Sequence, residues 1–212
     1  MTDSEQTIRM PAREETAVEQ LRPTQLQLAG TAELREDSRK LSGEASQLHR
    51  DMVERQLTEL AHSLERHRTA DLLERLAASG FAWSTLAEIF AVTPTAVRKW
   101  RRGDTPTPEH HRRVAHLLAA IEMLRKANPL LEDIAYWLEA RCEQETTLRR
   151  LDLYRMGSFA TLHTLASGRM SAREALEEAA PDWRARHRRD ERFELVWHDD
   201  GSPSIVMRGE KH

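Results

Sequence analysis

Four groups of residues in the sequence could do chemistry. The first is a cationic run, Arg98, Lys99, Arg101 and Arg102, broken only by Trp100. Such a run is either the footprint of a polyanionic partner or a solvated helical face. The second is histidine, present ten times and concentrated at Glu109, His110, His111 and His116. Neighbouring helical residues point about 100° apart, so His110 and His111 diverge, and neither has a partner four residues on to complete a metal site on one face. No metal is expected there. His163, beside Leu162 and Leu165, is expected to be a hydrogen-bonded, partly buried side chain, and His187 and His198 are expected to be exposed. The third is the single cysteine, Cys142, placed on the apolar side of a helix, where a thiol acts as a small inert hydrophobe. The fourth is Arg184, Arg186, Arg188, Arg189 and Arg192 after Trp183. Interspersed Asp182, Asp190 and Glu191 make this a surface ion-pair mesh ahead of a nucleic-acid contact. No phosphate loop, dinucleotide fingerprint or serine elbow occurs. The chain reads as a non-enzyme without cofactors, and catalysis would need a site in the C-terminal region that residue spacing does not reveal.

The elements that must position these groups are mainly helical. Few glycines and aromatics, with abundant Ala, Leu, Glu and Arg, favour helices over a sandwich or barrel. At 212 residues and 39% hydrophobic content the chain can bury one core or two small ones. No window approaches eighteen apolar residues and the opening MTDSEQ lacks a signal-peptide pattern, so a cytoplasmic protein without a membrane partner is expected. A lone cysteine fits that compartment. The net charge of −3 excludes a uniformly basic coat but not a local basic stripe.

Along the chain, residues 1–40 read as a flexible polar tail containing Pro11 and Pro23, with 26–34 as a stretch that could fold on a partner. Residues 41–70 read as an amphipathic helix whose seam, Leu41, Ala45, Leu48, Met52, then shifts by one residue to Val53, Leu57, Leu60 and Leu64. It packs either on its own domain or on a second copy. Residues 71–127 form the most informative unit, bounded by Asn128-Pro129. Residues 128–212 form a C-terminal region with helical patterns at 130–142, at 158–165 and from Ser171. Ser171 and Glu174 fit a capping box, and Gly168 would end the helix before it. Two β-rich runs, 193–198 and 203–208, flank Asp-Asp-Gly-Ser and predict a terminal β-hairpin, with Phe193, Leu195 and Trp197 on one face against the preceding helices.

Between Trp83 and Gly103 the spacing predicts two short helices and a tight turn, with Leu86, Ile89, Phe90, Val92, Val97 and Trp100 meeting inside the corner. Small Ala87 lets the helices approach closely. Thr93 is a good N-cap, and Pro94 falls at the first helical position, where its missing N–H costs nothing. This pattern resembles the helix-turn-helix of the Cro/repressor-like, or Xre-like, DNA-binding family: the small residue at Ala87, the turn at Ala91-Val92 and the buried positions Val97 and Trp100. Ala91 departs from the family's usual glycine, and its left-handed conformation would cost alanine about 1 kcal/mol. Residues 104–126 resemble the loop and next helix of the same fold, with Thr107 as N-cap and Val114, Leu117, Leu118, Ile121 and Leu124 as one stripe.

The resemblance implies a recognition helix, 93–102, that enters the major groove of double-stranded DNA by its N-terminal end. Thr93, Thr95, Arg98 and Lys99 would then face base edges, Arg98 foremost because a guanidinium can bond guanine O6 and N7 together. Ser84, Thr85, Arg101 and Arg102, with Lys99 also within reach, would hold phosphates. Arg112 and Arg113 would reach the duplex backbone or face solvent. A sequence-specific transcriptional regulator follows, a repressor acting as a homodimer on paired half-sites. The layout is also similar to Xre-type antitoxins, with 151–176 loosely like their C-terminal region, which implies a toxin as a further partner. The alternative from another class is a protein-interaction adaptor with the same fold and no DNA affinity.

Overall fold

A computed structural model describes the backbone of residues 15–189, 193–197 and 203–207 and the side chains of residues 35–189. The protein is mainly helical. Helix α1 (Glu15–Leu64) is followed by α2 (Thr69–Ala78), α3 (Trp83–Phe90), α4 (Pro94–Arg101) and α5 (Pro108–Ala127). Then come α6 (Ile134–Glu139), α7 (Arg150–Arg155), α8 (Phe159–Ala166), α9 (Ala172–Ala179) and α10 (Trp183–Arg186). Two strands, β1 (Phe193–Trp197) and β2 (Pro203–Met207), pair antiparallel with Phe193 opposite Met207 and Trp197 opposite Pro203. The turn expected at 199–202, His198 and Arg192, and the expected packing of Phe193, Leu195 and Trp197 lie outside the described residues. Among the described residues no helix is long and apolar enough to cross a membrane.

The chain forms two compact units, the first ending at Leu48 and the second running from His49. In the first, residues 15–40, expected as part of a flexible tail, belong to α1 instead. Glu, Gln, Leu, Ala and Arg dominate this stretch, and their intrinsic preference favours helix. Residues 35–48 are exposed throughout, including Leu41 and Leu48. In the second unit the α1 seam turns inward: Val53, Leu57, Ala61 and Leu64 are buried, so the one-residue shift at Met52/Val53 coincides with the change from exposed to buried positions.

Among the described residues of the second unit, one hydrophobic core joins Leu72, Leu76, Phe90 and Val97 to Ile134, Leu153, Phe159 and Trp183. The expected division between 71–127 and 128–212 is therefore corrected. Asn128 does end α5 in an extended conformation (φ −140°), but α5 itself spans the proposed boundary in space, packing on α2 and α3 as well as on α8. From Val114 to Leu124 only His116 and Glu122 escape full burial, so α5 is a central helix rather than one with a single stripe. Packing on several sides is what a helix apolar nearly all round requires.

The C-terminal helices fall where their patterns suggest, and one of them is shorter. The helix expected over 130–142 is confined to α6, capped by Asp133, whose carboxylate accepts from Tyr136 N–H at 2.9 Å. Leu130 is exposed before it. Cys142 lies beyond it, in a bend where its N–H donates to Leu148 C=O at 3.0 Å. The capping box at Ser171 and Glu174 forms as expected, and Gly168 follows α8 with φ +71°.

Candidate nucleic-acid interface

The corner between α3 and α4 is built by local signals. At the end of α3, Ala91 takes the left-handed conformation (φ 54°, ψ 45°). Val92 N–H donates to Ala87 C=O at 2.9 Å and Ala91 N–H to Glu88 C=O at 3.1 Å. These are the two bonds of a Schellman turn, which consume carbonyls the helix end would otherwise leave unpaired. Thr93 then caps α4, its hydroxyl oxygen accepting from Ala96 N–H at 3.2 Å, and Pro94 opens the helix. Leu86, Ala87, Phe90, Val97 and Trp100 are all buried, with Ile89 and Val92 packed against them. α4 rests on both α3 and α2.

Burying Val97 and Trp100 sends the opposite face of α4 to solvent. Thr95, Arg98, Lys99 and Arg102 recur at spacings of three and four and are all exposed. Arg98 lies along the first turn, its Nε 3.4 Å from Pro94 C=O and its Nη2 3.4 Å from the Thr95 hydroxyl. Arg102 Nε is 3.4 Å from Arg98 C=O. The Lys99 ammonium has no hydrogen bond or ion pair among the described residues. Ser84 is exposed and Thr85 half-buried in the first turn of α3, which has no side-chain cap at Ala82.

Arg101 is engaged within the fold. Its Nε donates to the Glu74 carboxylate at 2.7 Å, and its guanidinium sits 4.3 Å from the centre of the Trp83 ring. Both partners lie on supporting helices, so Arg101 ties α4 to α2 and α3.

A second support was invisible to sequence spacing. Glu88, the one acid between Trp83 and Gly103, accepts from Arg149 at 3.2 Å and Arg155 at 3.1 Å. These two guanidinium groups hold its carboxyl below the usual range. The clasp ties α3 to α7 and leaves the corner without an unpaired acid. Its members lie more than sixty residues apart in sequence, so no local pattern could link them.

The histidines take structural places. His111 bridges Glu65 C=O and the Thr69 hydroxyl, each at 2.8 Å, which ties α5 to the start of α2. With Nε2–H donating to the carbonyl, Nδ1 accepts from the hydroxyl. His110 meets the hydroxyl of the α5 cap Thr107 at 2.7 Å and stacks at a tilt on Trp100. His116 pairs with the Tyr154 hydroxyl at 2.7 Å, and burial lowers its pKa while raising that of Tyr154. His163 is half-buried as expected, but its Nδ1 has no hydrogen-bond partner among the described residues. His187 is half-buried rather than exposed, and its carbonyl accepts from Thr147 N–H at 2.8 Å. Among the described residues no group of histidine, cysteine or acidic side chains could hold a metal ion. Burial pushes the Cys142 thiol up to about 11. Arg184 pairs with Glu177 and Arg186 with Asp182. Arg113 pairs with Glu109, and Arg112 faces a cavity between α1, α5 and α7.

No protein-family model, curated protein or solved structure matches the chain.

Proposed function

We propose that this protein is a sequence-specific, double-stranded-DNA-binding regulator that docks α4 in the major groove in the manner of the Xre-like helix-turn-helix. The observation that carries the reading is the two-faced character of α4. Val97 and Trp100 anchor it, while Thr95, Arg98, Lys99 and Arg102 share an exposed cationic face. Thr93 caps its N-terminal end, the end that meets base edges in this docking mode. Arg98 and Lys99 read bases with Thr95 and Thr93 beside them, and Arg102, Ser84 and Thr85 hold phosphates. Arg101 and the Glu88 clasp keep the corner rigid, so little ordering entropy is lost on docking. Two copies acting together on paired half-sites complete the proposal. Leu41 and Leu48, exposed at 66% and 69% and seven residues apart on α1, are consistent with such pairing.

Selection from random duplex DNA, followed by affinity measurement at two salt concentrations, tests this. A palindromic motif should be enriched, and affinity should fall steeply with salt as phosphates are neutralised. Arg98→Ala should relax preference at one base position by about 1–3 kcal/mol. Lys99→Ala should relax preference at a neighbouring base position. Unchanged affinity in both variants, or no enrichment, removes DNA readout and leaves a protein-interaction role for the fold.

A further inference from the structure

A cavity of about 480 Å³ lies between the C-terminal part of α1, the last turn of α3, α5 and α7. Its size is within the range of small-molecule sites, roughly 300–1,000 Å³. The floor is apolar, with Ala61 and Phe90 buried and Ile89 packed against the core. Its charge is one-sided: Arg112, Arg113 and Arg155 line it, against one acid, Glu65. Two of these cations are already engaged, Arg113 with Glu109 and Arg155 with Glu88 and Asp152. Arg112 is exposed and has no hydrogen bond or ion pair among the described residues. The His116–Tyr154 hydrogen bond supplies a polar pair in the wall.

We propose that this cavity is a binding site for a small apolar carboxylate, with the body of the ligand against Ala61, Ile89 and Phe90 and its anionic head on Arg112. An apolar floor provides the burial, and a free guanidinium fork at the rim matches the two oxygens of a carboxylate. A neutral apolar molecule would leave Arg112 unused. A small polar anion would leave the floor uncovered. None of the residues proposed above to touch DNA lines the cavity, and its test needs no DNA.

Calorimetric titration of the full chain uses 2-naphthoate and octanoate, each compared with its neutral amide. At least one acid should bind saturably, one per chain, and about tenfold or more tighter than its amide, the margin expected of a charge-assisted bidentate contact. Arg112→Gln should weaken the acid about fivefold or more without changing the amide, since only the charge-assisted contact is lost. Thr58→Trp, at the exposed rim, should block both ligands while the melting temperature stays within a few degrees, as surface changes usually allow. The proposal is overturned if neither acid binds saturably, if acid and amide bind equally, or if acid binding survives either variant unchanged.

Discussion

Ala91→Gly should make the protein more stable, and the size of the gain can be worked from the backbone. At φ 54° and ψ 45° an L residue pays for the close approach of its Cβ to the following carbonyl oxygen, about 1–2 kcal/mol. Glycine has no such penalty, but it gives the unfolded chain more freedom, which costs about 0.4–1 kcal/mol. Ala91 is exposed, so deleting its methyl group uncovers no core. The net gain is about 0.5–1 kcal/mol. With a urea dependence of roughly 2 kcal/mol per molar, the unfolding midpoint should rise by about 0.3–0.5 M. Urea titration followed by helical circular dichroism measures this directly. Ala91→Val provides the opposite arm, because a β-branched residue tolerates the left-handed region less well than alanine and should lower the midpoint. Both turn bonds are backbone bonds, from Val92 to Ala87 and from Ala91 to Glu88, so glycine preserves them and the DNA affinity of the proposed interface should not change. A lower midpoint for the glycine variant, or no loss for valine, would refute the strain assigned to this turn.

Four further outcomes follow from the backbone and burial of other residues. Gly80→Ala should destabilise by on the order of 2 kcal/mol, because φ is +98° and a Cβ would lie 3.1 Å from Asp133 Oδ1, the atom that caps α6. Gly103→Ala, at φ +105° with open space around it, should cost only the backbone part, about 1 kcal/mol, and chemical denaturation of the two variants separates clash from strain. Cys142, at about 11 against an ordinary 9.0, carries about a hundredfold less thiolate at mildly alkaline pH, so a thiol-specific chromogenic reagent should label it far more slowly in buffer than in urea; equal rates would contradict its burial. Burial lowers the pKa of His116 and, aided by His49 and Arg169, that of His163. The unfolded chain then takes up protons near 6.5 that the folded chain refuses, so stability should fall as pH drops through and below that value. Denaturation midpoints at mildly acidic and neutral pH should differ less in His163→Gln than in the parent, and an unaltered slope would show that His163 titrates normally.

What the sequence determined by itself is local. The caps at Thr93, Thr107 and Ser171, the proline at the start of α4, the left-handed Ala91 and the break at Asn128 depend on a few adjacent residues whose hydrogen bonds close within one turn. The buried side of α4 was legible for the same reason, since Val97 and Trp100 share a face at helical spacing. Tertiary structure decided which polar groups meet. Arg101 had every local mark of a free cation, yet Glu74 and Trp83 occupy it; Glu88 is clasped by the arginines that precede and end α7; and Arg112 opens onto a cavity walled by helices distant in sequence. The extent of the core was also hidden, because α5 is apolar enough to be covered from several sides and no pattern within it names the helices that do so. Hydrogen bonds within a turn are written in adjacent residues, whereas ion pairs and cavities depend on how helices pack, which is set by the summed burial of the whole chain.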